Sequence, residues 1–265
     1  MLLYDSHVHS TISFDGRVTI DEACQRAIAR RLNGLIFTEH VEFVSADDPG
    51  RVPDLPRYQQ EINQAREAYP DFSIGMGLEL AFHPAHYQQL MELTQAAEWD
   101  FILASLHTVD GQCIYYGPPL TGMSPTASTA RYYQALSEAV IAFPHFDVLA
   151  HVDLPRRNLS YSGIPFCYDD YAADIDQVLA TLIERGQGLE INTAGLRFGL
   201  DGPQPHMSLL TRYRQLGGVI VTCGADTHSG RVGEEVPAGY EWARQAGFDR
   251  VAVYWNRQPF FIDLG

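Results

Sequence analysis

The sequence predicts an α/β fold, a closed or nearly closed β/α barrel in which residues 1–265 form one domain. Three observations carry that expectation. Short β-branched or apolar runs alternate with longer amphipathic stretches, the signature of repeated βα units around a parallel sheet. Seven or eight such units follow one another with no linker, repeat or low-complexity tract between them, which favours a ring over an open sheet. Histidines and carboxylates recur at the C-terminal ends of seven successive runs, the rim where barrel enzymes carry their chemistry. A length of 265 residues with 46% apolar and 19% charged side chains suits a domain of that size.

The elements follow in order. A strand over 2–7 precedes a helix over 19–31, whose Ile20, Ala23, Ala27 and Ile28 form one stripe and whose first turn holds Asp21 and Glu22. A strand over 34–38 leads through a loop-rich insertion, 41–54, to a helix over 55–69. Strands over 73–80 and 100–106 flank a helix over 84–97, and a second insertion, 111–125, precedes a helix over 126–143. Strands over 147–152, 188–192 and 219–224 alternate with helices over 168–185, 206–216 and 234–246. The apolar stretch 250–254 is a candidate eighth strand that would close the ring. Chemistry on barrels sits on loops after strands, so the two insertions are candidate lids or substrate-contact loops.

Composition narrows the function classes. Acidic residues outnumber basic ones 33 to 18, the net charge is -15, and every basic residue is arginine. A surface that acidic repels phosphate backbones and anionic lipid, which argues against nucleic acid or membrane as the main partner. Without lysine there is no Schiff base, no Walker-type phosphate loop and no carbamylated-lysine metal bridge. Cys24, Cys113, Cys167 and Cys223 form no C-x-x-C pair and read as ordinary core thiols in a reducing compartment. The N-terminus turns polar by its fifth residue and no apolar run reaches about eighteen residues, so a cytoplasmic location is expected.

The candidate site residues map onto the strand ends. His7 and His9 form H-x-H at the first; Glu39 and His40 end the second, Glu79 the third and His107 the fourth. His151 and Asp153 end the fifth, Glu190 and Asn192 the sixth, and Asp226 and His228 follow the seventh. Residues i and i+2 of a strand share a face, so both members of H-x-H can point at the barrel axis. Parallel strands in a ring bring these ends to one rim. Clustered imidazoles and carboxylates there call for cations between them, and this donor set suits zinc, iron or manganese, with more ligands than one ion can use. Glu39 and Asp153 adjoin these positions and either orient neighbours or cap the surface; Glu190 either packs its strand end or reaches a substrate. His83, His86, His145 and His206 lie at helix starts or loops and read as ordinary polar residues. Phe14, Tyr115, Tyr116 and Phe198 are candidates to stack on an aromatic ligand. Arg197 after the sixth strand, and Arg156 or Arg157 after the fifth, stand where a guanidinium can fork onto phosphate, Arg197 foremost.

The motifs Asp5-Ser-His-Val-His9, Thr38-Glu-His40, Gly77-Leu-Glu79, Ser105-Leu-His107, Ala150-His-Val-Asp153 and Gly224-Ala-Asp-Thr-His228 resemble, in order, those of the polymerase and histidinol phosphatase (PHP) superfamily. Glu190 to Arg197, the acidic Asp15 and the segment from Tyr69 to Glu79 look like its histidinol-phosphate phosphatase branch. The resemblance implies a distorted (β/α)7 TIM-like barrel with three divalent ions, Zn, Fe or Mn. It implies that His7, His9, Asp226 and a bridging Glu79 hold the first ion, that Glu79, His107 and His151 hold the second, and that Asp15, His40 and His228 hold the third. It places Glu79, Asp226 and His228 at the catalytic centre. The implied activity is hydrolysis of a small phosphate ester, L-histidinol phosphate, to L-histidinol and phosphate in histidine biosynthesis, by attack of a metal-activated hydroxide on phosphorus. Two rivals share most of this pattern. One is a related phosphoesterase acting on another small phosphate ester or nucleotide; the other is an amidohydrolase, which also begins with H-x-H but bridges its metals with the lysine missing here.

Overall fold

The structure, a computed structural model, describes residues 1–115 and 119–265; Tyr116 lies outside the described residues. Strand β1 (Tyr4–Val8) leads through α1 (Ile20–Ala29) to β2 (Gly34–Val41), and α2 (Leu55–Ala68) leads to β3 (Ser73–Ala81). A 3-10 turn at Pro84–His86 starts α3 (Tyr87–Thr94), which returns to β4 (Phe101–Ser105). A small hairpin of β5 (Thr108–Val109) and β6 (Gln112–Cys113) precedes α4 (Pro125–Ala142). The chain then runs through β7 (Val148–Leu149), α5 (Arg156–Tyr161), α6 (Ala172–Glu184), β8 (Gly188–Asn192), α7 (Ala194–Arg197), α8 (Met207–Gln215), β9 (Val221–Gly224) and α9 (Val236–Gln245). It ends in β10 (Arg250–Trp255) and β11 (Gln258–Asp263).

Local chemistry sets the helix starts. Thr19 accepts from the Glu22 amide while the Glu22 carboxylate accepts from Thr19 N, a capping box that begins α1. Asp54 and Ser124 cap α2 and α4 by accepting from the amides of Arg57 and Ala127, each with proline in the first turn, where its missing N–H costs nothing. The short helices α5 and α7, which no periodicity announces, follow directly on the ends of the fifth and sixth barrel strands.

Among the described residues the main sheet has seven strands in the order β1-β2-β3-β4-β7-β8-β9, with every neighbouring pair parallel. The segment after β9 closes the ring on β1: Val8 bridges Thr227, Asp226 N donates to His7 O at 2.8 Å, and His9 N donates to Thr227 O at 3.0 Å. The ring is distorted, since only Leu103↔Val148 and Ala104↔Leu149 pair β4 with β7. The expected eighth strand does not join it. Asn256 and Arg257 take φ of +49° and +62°, a tight turn that folds β10 back antiparallel onto β11, from Trp255↔Gln258 to Arg250↔Asp263.

Apolar residues form two cores. Leu35, Phe37, Leu78 and Ile102 on the outer face of the sheet pack with Ile20, Ile62, Leu136 and Leu179 of the helices. Inside the ring, at the N-terminal ends of the strands, Ile36, Phe101, Leu103 and Val148 pack with Ala252, Val253 and Tyr254 of the hairpin. Gly75 faces this plug, where a Cβ would stand 2.9 Å from Ile36 Cγ1 and 3.1 Å from the Trp255 ring. The turn is tied down as Arg257 Nε donates to Asp147 Oδ2 at 2.5 Å and Asn256 N to Asp100 Oδ1 at 3.2 Å. One end of the barrel is therefore filled, leaving the other for polar groups.

Candidate metal centre

Register and alternation bring the motif residues together. His40 of β2 lies in register with Glu79 of β3, and the closure bonds fix His7 and His9 beside Asp226 and Thr227. Glu79 is buried with its two oxygens facing different groups. Oε2 lies 3.3 Å from His7 Nε2 and 3.4 Å from His9 Nε2; Asp226 Oδ1 stands 3.7 and 3.5 Å from the same two nitrogens. Oε1 lies 3.4 Å from His107 Nε2 and 2.9 Å from His151 Nε2. A third group stands further out, with Asp15 Oδ2 3.6 Å from His40 Nε2 and 3.3 Å from His228 Nε2. The structure thus gathers all nine candidate ligands, including Asp15 from the loop after β1.

The donor set fits divalent cations. Three pairs of imidazole Nε2 atoms face each other, His7–His9 at 3.0 Å, His40–His228 at 3.0 Å and His107–His151 at 3.4 Å. Ligand atoms ~2.1 Å from a tetrahedral ion stand ~3.4 Å apart, close to the spacings observed. His40 Nδ1 lies 3.0 Å from Glu79 Oε2, so an Nδ1–H directed at that carboxylate leaves the His40 Nε2 lone pair facing Asp15 and His228, as a cation there requires. Four overlapping groups, His9–His40–His228, His7–His9–Glu79, His40–Glu42–His107 and Glu79–His107–His151, bring their ligand atoms within 4.8 Å of one another, close enough to hold an ion.

Carboxylates behind the imidazoles turn them inward. Glu190 Oε1 accepts from His7 Nδ1 at 2.6 Å, and Glu190 Oε2 accepts from His151 N and Asn192 Nδ2. Glu42 Oε1 accepts from His107 Nδ1. With the Nδ1 protons so placed, the Nε2 lone pairs point at the centre. Glu190 thus orients His7, a role that neither expectation for it described. Glu42 was not among the sequence candidates, though its place two residues after His40, on the same face, was a usable signal. Gly224 completes the fit, because a Cβ there would meet His7 Cβ at 2.3 Å and Glu190 Oε1 at 2.5 Å. His151 and Asp226 hold positive φ, +24° and +50°, uncommon conformations retained at a functional site.

Electrostatics divide the groups. Burial disfavours charge on Glu79 and Asp226, but the imidazoles around them outweigh it and hold both carboxyls well below the usual range. Burial likewise opposes protonation of His7, yet Glu190, Glu79 and Asp226 raise it well above the ordinary imidazole value. His9 goes the other way, lowered by burial and by His40 and His228.

The arginines part company. Arg157 is buried; its Nε donates to Gln204 Oε1 at 2.8 Å, and its Nη1 and Nη2 have no hydrogen-bond partner. Its guanidinium lies 3.9 Å from the Phe198 ring and 4.7 Å from the Tyr115 ring, with Nη2 3.8 Å from Asp226 Oδ2. Arg156 points elsewhere: it binds Asp153, Asp201 and the carbonyls of Gly202 and Pro203, anchoring the 201–203 loop. Arg197, the foremost sequence candidate, is occupied by Ala225 O at 2.5 Å, Asp226 O at 2.9 Å and Glu235; it fixes the backbone of a ligand instead of facing the centre. Asp153 serves the same loop, accepting from Gln204 and His206 N. His86 stacks on Phe43 and bonds Ser45 O, an ordinary polar role.

A cavity of about 210 Å3 opens beside Asp15, His40 and His107. Both insertions wall it, through Glu42, Val44 and Arg51 on one side and Cys113 and Tyr115 on the other, with Phe14 packed 5.5 Å from the His40 ring. A larger cavity of about 420 Å3, lined by Arg156 and His206, touches none of the clustered ligands, so the smaller one is the functional candidate. Among the described residues no helix is long and apolar enough to cross a membrane.

Known proteins resemble the chain throughout. It is 27% identical over 227 residues, 86% of this chain and 87% of the relative, to a probable histidinol-phosphatase of Clostridium acetobutylicum. It is 27% identical over 258 residues, 94% and 93% of the two chains, to the histidinol-phosphatase of Lactococcus lactis. The solved structure of histidinol phosphate phosphatase from Lactococcus lactis, complexed with zinc, L-histidinol and phosphate, superposes with a TM-score of 0.85 at 24% identity, covering 97% of this chain and 98% of that one. Residues 5–194 match the family model of the PHP domain. That match takes in well over half of the sequence, and the chain belongs to the PHP domain family.

Proposed function

We propose that the protein is a metal-dependent phosphomonoesterase that hydrolyses L-histidinol phosphate to L-histidinol and phosphate. The observation that carries the reading is Glu79, whose two buried oxygens each face a separate histidine group beside a cavity large enough for a small alcohol. Relatives named histidinol-phosphatase along nearly the whole chain point to the same substrate.

Three divalent ions would be held by His7, His9, Asp226 and Glu79, by Glu79, His107 and His151, and by Asp15, His40 and His228. When bound, such ions supply a lowered pKa for water and positive charge to meet phosphoryl oxygens. The remaining work falls to the chain. Asp226 and Glu79 stay ionised because imidazoles surround them, so neither gives up a proton and both remain ligands. Arg157 offers two nitrogens without hydrogen-bond partners beside Asp226 and is the anion receptor, its guanidinium packed against the Phe198 and Tyr115 rings. The leaving alcohol occupies the 210 Å3 cavity, where Phe14 and Tyr115 suit an imidazole ring and the carboxylate of Glu42 suits its cationic amine. The chain acts as one domain in the cytoplasm, where its four unpaired cysteines stay reduced; Cys24 and Cys223 are buried as expected of core thiols, but Cys113 and Cys167 are exposed.

Phosphate release from L-histidinol phosphate, nucleotides and p-nitrophenyl phosphate, with and without chelator, tests the reading. The expected result is chelator-sensitive turnover fastest on L-histidinol phosphate. Equal rates on generic esters would overturn the substrate, and no turnover of any ester after metal loading would overturn the enzyme.

A further inference from the structure

The loop after β1 leaves the barrel, carries Asp15 and returns to α1; Val18 is buried in the core, Ile12 packs against it, and Arg17 N donates to His228 O at 2.9 Å. Glu39 points away from the barrel axis, next to His40, and is fully buried. It gathers four donors from that loop: Ser10 N at 3.1 Å, Ser10 Oγ at 2.5 Å, Ser13 N at 3.0 Å and the Ser13 hydroxyl. With its proton given to Glu39, Ser13 Oγ can only accept from its other neighbours, His40 N at 3.0 Å and His9 Nδ1 at 3.4 Å. An Nδ1–H donated to Ser13 leaves His9 Nε2 as a lone pair facing the centre. One carboxylate thus reaches His9, the backbone of His40 and the loop bearing Asp15, and no hydrogen bond links it to His107 or His151.

We propose that Glu39 is the positioning residue of the outer ion site, setting the Asp15 loop and the backbone of His40 together through Ser13. The outer group is the one that needs such support, since the Asp15 and His228 side chains are 37% and 18% exposed while those of His7, His9, Glu79, His107 and His151 are at most 5% exposed. This inference rests on the three-ion reading. It differs from a capping role for Glu39, which would stabilise the loop without changing cation affinity.

Titration of metal-free protein with Co2+, following ions bound per chain and the visible absorption of the bound ion, separates the two. Wild-type protein should bind three ions, and Glu39→Gln, which sets an amide among four donors, should bind the weakest about 10- to 100-fold less tightly, the usual effect of losing a ligand's hydrogen-bond partner. The ion of Glu79, His107 and His151, whose histidines no hydrogen bond of Glu39 or Ser13 reaches, should be unchanged, and the weakened site should match that of Asp15→Asn. Ser13→Ala, which removes one hydroxyl and no charge, should weaken the same ion if Glu39→Gln does not fold. A third ion bound by Ser13→Ala and Glu39→Gln as tightly as by wild type would overturn the proposal alone. Wild-type protein that binds only two ions would overturn the three-ion reading and the proposal with it.

Discussion

At the N-terminal ends of the strands the ring holds Ile36, Leu103 and Val148 around Tyr254, all buried and apolar; a few residues further along the same strands it holds His40, His107 and His151, equally buried. Thr38 and Ser105 stand between on two of these strands, so polarity rises there by the two-residue step of the pleat, while on the third the positive φ of His151 breaks that step. The lower layer gains stability from burial and aromatic packing, as in Tyr254 stacked 4.9 Å from Phe101. The upper layer forgoes it: buried nitrogens face each other, polar atoms lack partners and two residues hold positive φ. One sheet can carry both only because the C-terminal hairpin seals the lower end, freeing the upper end to be assembled for cations at a cost in intrinsic stability.

The sharpest break of that contrast is Glu79→Ala. Removing the one side chain shared by two groups should cost several kcal/mol of transition-state stabilisation, about 1,000-fold in turnover, and lower the metal content of the purified protein. Phosphate release and elemental analysis read both. Tyr254→Ala attacks the opposite end; losing a buried aromatic should cost about 3 kcal/mol in urea denaturation while Co2+ affinity of the folded protein stays unchanged. A parallel loss of metal affinity would show that the two ends are not independent.

Arg157→Ala and Arg197→Ala dissect the upper end. Truncating Arg157 should raise KM about 10- to 100-fold, the worth of ~1.5–3 kcal/mol for a charged hydrogen bond, with ion content intact. Arg197→Ala should instead lower ion affinity, because its guanidinium holds the carbonyls of Ala225 and Asp226; a KM effect alone would restore Arg197 as the anion receptor. The smallest effect belongs to neither end. Asp176 on α6 binds Arg212 on α8 through two oxygens, and that hydrogen bonding holds its carboxyl below the usual range. Its contribution is present above the unfolded pKa near 3.8 and is lost as pH falls through the lower folded value. For a pair about one-third exposed it should be under ~1 kcal/mol. Asp176→Asn should therefore lower stability slightly at neutral pH and lose that deficit in acid, as denaturation across pH would show.

Much of the site was legible because a strand's two-residue period and the common direction of parallel strands turn sequence position into spatial position. His7, His9, His40, Glu79, His107, His151, Asp226 and His228 all sit at strand ends, so reading strands was enough to bring them to one rim. Asp15 lies in a loop, where no period applies, and was reached only through the family resemblance. The 250–254 run has the composition of a barrel strand; its antiparallel return depends on positive φ at Asn256 and Arg257, which neither residue type announces. Arg156, Arg157 and Arg197 looked alike in sequence because a guanidinium is long enough to serve a ligand, a loop or a backbone carbonyl. Only the packed structure assigns Arg156 to the 201–203 loop and Arg197 to the backbone of Asp226.

By itself, then, the sequence determined the βα alternation, the absence of lysine chemistry and the rim of imidazoles and carboxylates, since these follow from local periodicity and residue type. Tertiary structure alone decided which oxygen of Glu79 faces which histidines, which carboxylate turns each ring, and which end of the barrel is sealed. Those depend on distances between segments far apart in the chain, and such distances are fixed only when the ring closes.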